Sequence, residues 1–225
     1  MTVKNFTLHK ENNNINYQLF LPQGYETDRD KKYPLILFLH GSKRRGEDIH
    51  LLNDYGLTWI AENKKDFPFI IVTPQCPSLS NWTIETASLI TLTNEILSKY
   101  RVDHEKIYLT GFSIGGQGSF DLASKYPELF AAVAPIAGWF EPNQAMLLKD
   151  VPIWAFHCMD DDVVPVSGTE DMVQALTSIG GNIRVTYYSG LKHDHKVMNE
   201  TYNNSELYTW LLKHKRKKYQ FNDLT

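Results

Sequence analysis

The feature that most constrains the fold of this 225-residue chain is a pentapeptide, Gly-Phe-Ser-Ile-Gly, at residues 111–115. A strand-like apolar run precedes it at residues 106–110, and a helix-like stretch follows it at residues 116–126. A G-x-S-x-G pattern between a strand and a helix forms a sharp turn that holds its serine in a strained backbone conformation. A larger side chain at either glycine would collide with neighbouring backbone. The pattern therefore predicts that Ser113 lies at a tight turn, beside the unpaired N–H groups of a helix start.

A serine hydroxyl becomes a useful nucleophile only when a base takes its proton and an acid orients that base. The chain places candidates for both downstream, in the order serine, aspartate, histidine. Three aspartates at residues 160–162 follow an apolar run, and two histidines at residues 190–195 follow another. Each candidate comes just after the carboxyl end of a predicted strand, where ligands bind in open α/β sheets. The spacing predicts that an acid and a base meet Ser113 at one edge of the sheet.

Strand-like and helix-like segments alternate along the chain, which is typical of a mostly parallel sheet with helices on both faces. Residues 6–9 and 15–20, separated by asparagines at 12–14, predict an antiparallel hairpin. Continuous apolar runs predict strands at 35–39, 69–73, 106–110, 131–136, 151–156 and 183–188. Helical periodicity predicts helices near 89–100, 172–179 and 206–218. Residues 167–170 have the pattern of a capping box, and glycines 180–181 would end the helix that it starts.

The chain resembles an α/β-hydrolase of the small esterase and predicted-peptidase group, similar to polyhydroxybutyrate-depolymerase-like and feruloyl or acetylxylan esterase-like carboxylesterases. The segments that carry the resemblance are residues 33–42, 111–126, 157–165 and 190–194. The acid motif of that group, H-G-x-x-D-x-x-V-P, implies Asp161 as the acid, and its G-x-x-H motif implies His193 as the base. Cys158 replaces the usual glycine of the acid motif, and Asp160 and Asp162 remain alternatives to Asp161.

The same resemblance implies an oxyanion hole made by two backbone N–H groups. One belongs to Ile114, directly after the nucleophile, and the other to Ser42, in the loop after a strand. The family form of this loop is often H-G-S-G-E-R-G. Here residues 43–44 are Lys-Arg in place of glycine and glutamate, whereas Arg45 matches. The additional positive charge favours acidic substrate groups, with a solvated basic loop as the alternative.

Four other side chains are candidates for contacting a substrate: Trp82, Trp139, Arg45 and Gln117. Structural packing is the alternative for the two tryptophans and for Gln117. His40 and His157 are expected to satisfy backbone groups near strand ends rather than to transfer protons. The two histidines at 193–195 lack a third ligand at a suitable spacing, so we expect neither a metal nor a cofactor.

Length and composition predict one catalytic domain over residues 1–225. The net charge of −3 gives no reason to expect a nucleic-acid partner, and no apolar run approaches the roughly 20 residues of a membrane span. The first residues lack the apolar core of a secretion signal, so with Met1 as the native start we expect a cytoplasmic protein; a removed signal is the alternative. Cys76 and Cys158 follow strands about four spacings apart and are expected to be reduced thiols.

These features predict an α/β-hydrolase fold with about eight strands that acts as a serine carboxylesterase on small or soluble esters. Only 48 positions separate Ser113 from Asp161, which leaves no room for a large helical cap over the site. Alternatives within enzymes are a peptidase or acylaminopeptidase, and a thioesterase or lysophospholipase. The alternative from another class is a non-catalytic binding protein with this fold.

Overall fold

An eight-stranded sheet in the order β1-β2-β4-β3-β5-β6-β7-β8 forms the centre of the molecule. The structure, a computed structural model, describes residues 3–9 and 14–216. The strands are β1 (Val3–Leu8), β2 (Ile15–Phe20), β3 (Tyr33–Leu39), β4 (Ile70–Pro74), β5 (Val102–Phe112), β6 (Ala132–Ile136), β7 (Ile153–Cys158) and β8 (Ile183–Tyr188). β2 pairs antiparallel with β1 and β4, and all other neighbours are parallel. The predicted mostly parallel sheet is confirmed.

Helices cover both faces of this sheet. They are α1 (Gly56–Glu62), α2 (Thr86–Lys99), α3 (Ile114–Lys125), α4 (Ser167–Ser178), α5 (His195–Asn203) and α6 (Ser205–Lys213). Apolar residues of α2, α3 and α4 join one buried cluster, and those of α1, α5 and α6 join a second. Along β3, Leu35 and Leu37 belong to the first cluster, whereas Ile36 and Phe38 belong to the second. Because both faces of the central strands are buried, these strands are continuous apolar runs.

Three features of the helices differ from the predictions. α1 and α5 were not predicted, and the pattern at residues 167–170 does not form a capping box, because Val166 is the N-cap and makes no side-chain cap. α6 ends at Lys213 rather than at residue 218. Beyond it, the Tyr108 hydroxyl donates a hydrogen bond to the His214 carbonyl oxygen at 3.1 Å, which holds the chain in an extended conformation. Residues 217–218 lie outside the described residues, as do residues 12–13 of the predicted hairpin turn.

Other predictions of local structure are confirmed. α4 ends before the two glycines, where Gly180 takes a φ of 70° and the Gly181 N–H donates to the Leu176 carbonyl oxygen at 2.8 Å. Cys76 and Cys158 are free, buried thiols after β4 and at the end of β7.

The connection between β6 and β7 decides how open the carboxyl edge of the sheet is. It contains a 3-10 helix, Pro142–Leu148, which packs against α3 and α4 rather than over the sheet edge. This described part of the chain therefore carries no helical cap, as the spacing predicted. Within residues 3–9 and 14–216, no helix is long and apolar enough to cross a bilayer.

Candidate active site

The turn between β5 and α3 holds Ser113 in a strained conformation. Its backbone has φ 60° and ψ −119°, a region that L-residues seldom adopt. A Cβ atom added to Gly115 would lie 2.0 Å from the Leu39 carbonyl oxygen, and one added to Gly111 would lie 2.3 Å from the Gly115 oxygen. Only glycine therefore fits at these two positions, which confirms the predicted steric reason for the pentapeptide.

Three side chains from separate strand ends form a hydrogen-bonded series at this turn. The Ser113 hydroxyl lies 2.9 Å from Nε2 of His193, and Nδ1 of His193 lies 2.7 Å from Oδ2 of Asp161. The Asp161 carboxylate is fully buried, whereas the imidazole retains 10% exposure. Since a carboxylate only accepts, Nδ1 carries the proton and Nε2 is free to accept from the serine. The series can thus take a proton from Ser113 and stabilise the resulting imidazolium.

The three consecutive aspartates have separate contacts in the structure. Asp161 reaches the imidazole, and its other oxygen accepts N–H bonds from Val163 and Val164 at 2.9 and 2.8 Å. Asp160 accepts from the Gly190 N–H at 2.7 Å and from the Cys158 thiol at 3.0 Å. These two donors, the thiol first, lower the pKa of the Asp160 carboxyl.

Asp162 contacts the main chain of the same histidine loop. Its Oδ1 accepts a hydrogen bond from the His193 N–H at 3.3 Å, and its other oxygen lies 3.8 Å from Nζ of Lys192. Asp160 and Asp162 therefore hold the loop that carries the histidine, while Asp161 alone of the three contacts its ring. The contacts favour Asp161 as the acid.

Two further residues orient the series and were not assigned this position from sequence. Phe112, inside the pentapeptide, stacks on the His193 ring at 4.9 Å with an interplanar angle of 24°. His157 lies behind the acid, with Nε2 3.4 Å from Oδ2 of Asp161 and 3.0 Å from the Val164 carbonyl oxygen. The sequence could have indicated both, because Phe112 is next to the serine and His157 is the first residue of the acid motif.

His40 is buried and satisfies backbone groups, as expected. Its Nε2 accepts from the Cys76 N–H at 3.0 Å, so the proton is on Nδ1, which donates to the Gly41 carbonyl oxygen at 2.8 Å. Burial lowers the pKa of His40 to about 4, and the charges of Arg44 and Arg45 act in the same direction. His157 also has contacts at a strand end, to Thr169 and Val164, and burial lowers its pKa as well.

The depressed pKa of His40 predicts a loss of stability in acid. An unfolded His40 takes up a proton below its ordinary pKa of 6.5, whereas the folded one stays neutral down to about pH 4. The unfolded state therefore binds more protons in this window, and the free energy of unfolding falls as the pH falls, by about 3 kcal/mol for this residue. Urea unfolding followed by tryptophan fluorescence at pH 7 and near pH 4 measures the loss.

The matched control is His40→Gln, because glutamine can both donate and accept but does not titrate. We expect this variant to be less stable at pH 7 but to lose about 3 kcal/mol less between the two pH values. Equal losses in the variant and the parent protein would show that His40 does not keep a depressed pKa.

The two predicted oxyanion donors both begin helices. Ile114 is the first residue of α3, and Ser42 is the first residue of a short 3-10 helix, Ser42–Arg44. First-turn N–H groups have no acceptor within their own helix, so both are available to a ligand. Ser42 lines the same cavity as Ser113 and His193.

This cavity, of about 140 Å³, lies over the serine at the carboxyl edge of the sheet. Its lining residues are Gly41, Ser42, Lys43, Arg44, Tyr55, Phe112, Ser113, His193, Asp194 and His195. Tyr55 has no local sequence signal, because it reaches the cavity only through the loop that folds back after β3. Across residues 3–9 and 14–216, no three histidine, cysteine or acidic side chains are grouped to hold a metal ion.

None of the four other predicted substrate contacts lines this cavity. Trp82 is buried, and its Nε1 donates to the His40 carbonyl oxygen at 2.9 Å, so the packing alternative applies. Trp139 packs against Gly168 in the first turn of α4. Arg45 donates to the carbonyl oxygens of Ser42 and Ser80, at 3.3 and 3.0 Å, and joins two loops. Gln117 makes a long contact of 3.5 Å with Asn81.

The sheet order, the helices on both faces and a serine at the turn between β5 and α3 define the α/β-hydrolase class. Within this class the chain belongs to the phospholipase/carboxylesterase family, whose family model matches residues 67–204.

Several esterases are similar to this chain. A bifunctional acetylxylan esterase/xylanase of Neocallimastix patriciarum is 27% identical over 184 residues, which are 79% of this chain and 26% of the relative. Feruloyl esterase B of Thermothelomyces thermophilus is 28% identical over 138 residues, 56% of this chain and 44% of the relative. The chain thus spans less than half the length of these two relatives.

Solved structures show the same fold. A thermostable esterase superimposes with a TM-score of 0.85 at 34% identity, covering 95% of this chain and 63% of that protein. A ferulic acid esterase superimposes with a TM-score of 0.75, covering 93% of this chain and 98% of that protein; at 20% identity this likeness concerns the fold alone.

Proposed function

We propose that the protein is a serine carboxylesterase that hydrolyses small or soluble carboxylic esters, with the chain acting as one catalytic domain. The observation that carries the proposal is the series of contacts from Ser113 through His193 to Asp161, at 2.9 and 2.7 Å. Membership of the phospholipase/carboxylesterase family and the similarity to named esterases support ester bonds as the target.

The proposed reaction has two steps. His193 Nε2 accepts the hydroxyl proton while Ser113 Oγ attacks the ester carbonyl carbon, and Asp161 stabilises the imidazolium. The same proton then passes to the alkoxide oxygen as the ester C–O bond breaks, which leaves an acyl group on Ser113. Water repeats the sequence: its proton goes to His193, its oxygen attacks the acyl carbon, and Ser113 regains its proton as the acid leaves.

The oxyanion formed in each step needs donors that are already in place. The N–H groups of Ser42 and Ile114 begin their helices beside the serine, and the turn and Arg45 hold them in position. Loss of one such donor in comparable sites raises the barrier by about 3 kcal/mol. The strained turn at Ser113 therefore serves the reaction in this proposal, because it places the hydroxyl in the cavity directly before the first N–H group of α3.

The test is intact-mass spectrometry after incubation with a fluorophosphonate probe, beside a panel of p-nitrophenyl esters of increasing acyl length. We expect one adduct, mapped by peptide sequencing to Ser113, and faster turnover of acetate and butyrate than of long acyl chains. Matched thioester and anilide substrates separate an esterase from a thioesterase or peptidase. A folded protein that forms no adduct and hydrolyses no ester would contradict the proposal.

A further inference from the structure

One wall of the cavity over Ser113 is positively charged. Lys43 and Arg44 both line it, directly after the proposed oxyanion donor Ser42. Within residues 3–9 and 14–216, no carboxylate lies within 4.0 Å of either side-chain cation. Two positive charges without a protein counter-ion thus face the space where a substrate would lie.

Arg44 is fixed in place but incompletely satisfied. Its guanidinium lies over the Tyr55 ring, 4.5 Å from the centroid, and its main-chain oxygen accepts from Nε2 of Gln75 at 3.3 Å. Its Nε is buried and has no hydrogen-bond partner among the described residues. Because this Nε is shielded from water, a ligand in the cavity would contact the guanidinium through its two terminal NH₂ groups.

The other ionisable groups of the cavity do not neutralise this wall. Asp194 accepts from the Lys196 N–H at 3.0 Å as the N-cap of α5, and its carboxylate lies 2.9 Å from Nδ1 of His195. Burial raises the pKa of Tyr55 to about 12, so its hydroxyl is uncharged at ordinary pH. A negatively charged ligand in the cavity would therefore meet two cations that no cavity carboxylate neutralises.

We propose that Lys43 and Arg44 form a carboxylate-binding subsite, and that the substrates are esters that carry a carboxylate on the acyl or the alcohol part. The inference rests on the proposed function and adds the class of substrate. A guanidinium stacked on an aromatic ring offers a planar pair of donors that matches a carboxylate. The small cavity places such a group close to the ester carbonyl held at Ser42.

The test compares esters that differ only in charge. For the acyl part, 4-nitrophenyl hemiglutarate is compared with its neutral methyl ester; for the alcohol part, 4-acetoxybenzoate is compared with 4-acetoxybenzamide. We expect one charged ester to have a kcat/KM about 10- to 100-fold above that of its neutral partner, and the ratio to shrink in high salt.

Variants of the subsite separate charge from packing. Arg44→Gln should remove most of the preference, measured as the ratio of kcat/KM for the charged ester to kcat/KM for its neutral partner, and Arg44→Lys should retain part of it. Arg29→Gln, which removes the same charge from an exposed loop before β3, should leave the preference unchanged. Equal kcat/KM for both members of each ester pair, or a preference that survives Arg44→Gln, would overturn the subsite and leave the esterase proposal standing.

A binding measurement keeps the inference testable without turnover. Calorimetry of Ser113→Ala with glutarate should show binding that Arg44→Gln weakens by about tenfold or more. No glutarate binding, or tighter binding of inorganic phosphate than of glutarate, would overturn the carboxylate assignment. Glutarate binding to Ser113→Ala, together with no fluorophosphonate adduct on the parent protein, would support the subsite and defeat the proposed function instead.

Discussion

Replacing Ser113 with alanine is expected to reduce ester turnover by about 10⁵-fold or more while leaving the fold intact. The hydroxyl is the proposed nucleophile, and no other hydroxyl lies within hydrogen-bonding distance of His193 Nε2 in the described residues. Alanine retains the Cβ atom, so it tolerates the backbone at φ 60° as well as serine does. Turnover of p-nitrophenyl butyrate, together with thermal unfolding by circular dichroism, measures both parts of the expectation.

Ser124→Ala is the matched control for this variant. Ser124 is also buried, and its hydroxyl donates to the Asp121 carbonyl oxygen at 2.8 Å within α3, away from the cavity. The control should lose about 1 kcal/mol of stability or less and keep its rate. A Ser113→Ala protein that hydrolyses an activated ester at the parent rate would show that the nucleophile is another residue.

Most of the sheet could be predicted from sequence because its strands are buried on both faces. β3 and β4 are short and mostly apolar, without alternation of polar and apolar residues. Both their length and this lack of alternation are typical of a strand that is buried on both faces. The ends of strands were less accurate. β5 begins at Val102 rather than near residue 106, because residues 103–106 are polar and half-exposed, and the register with β3 shifts between the pairs Tyr33–Val102 and Leu35–Ile107.

The missed elements depend on tertiary contacts rather than on local pattern. α1 has only seven residues, and α5 has a polar sequence that is buried on one side by the second core cluster. Both helices, of seven and nine residues, are shorter than about 12 residues, the length below which an isolated helix is marginal in water. Val166 already has helical backbone angles and is the N-cap of α4. Ser167 is therefore the first residue inside the helix, whereas the serine of a capping box would be the N-cap itself.

In the site too, some residues could be predicted from local sequence and others depend on tertiary contacts. Gly111 is required by the nearby Gly115 carbonyl oxygen and Gly115 by the Leu39 carbonyl oxygen of β3, and the pentapeptide indicates both because its pattern is typical of this turn. Tyr55 and Trp82 are different, because their positions depend on how the loops after β3 and β4 pack together. Trp82 was equally compatible with a pocket and with packing, and its hydrogen bond to the His40 carbonyl oxygen decides for packing.

The choice among the three aspartates also required the structure. The acid motif aligns with Asp161, but its neighbours carry the same functional group one residue away. In the structure, the three side chains contact different groups of one loop: Asp160 and Asp162 accept from the main-chain N–H groups of Gly190 and His193, and Asp161 contacts the His193 ring. Chemically identical residues thus differ in what they contact, which makes them suitable for a direct comparison.

Replacing Asp161 with asparagine is expected to lower kcat by about 10⁴-fold. An amide has no negative charge to stabilise the imidazolium. Its NH₂ group would also oppose Nδ1–H of His193, because the remaining oxygen is held by the N–H groups of Val163 and Val164. The imidazole would then turn or carry its proton on Nε2, where it cannot accept from Ser113. Steady-state kinetics on p-nitrophenyl butyrate measures the loss.

Asp160→Asn and Asp162→Asn are the matched controls, since each makes the same chemical change at the same turn. Both residues accept from backbone N–H groups, which an amide oxygen can also do, so we expect losses of about tenfold or less in kcat. Asp162→Asn should have the smaller effect, because its bond to the His193 N–H is long at 3.3 Å and its side chain is more than half exposed. A loss at either control that equals the loss at Asp161 would mean that the acid is not Asp161, because only a residue that acts on the imidazolium itself depends on the charge.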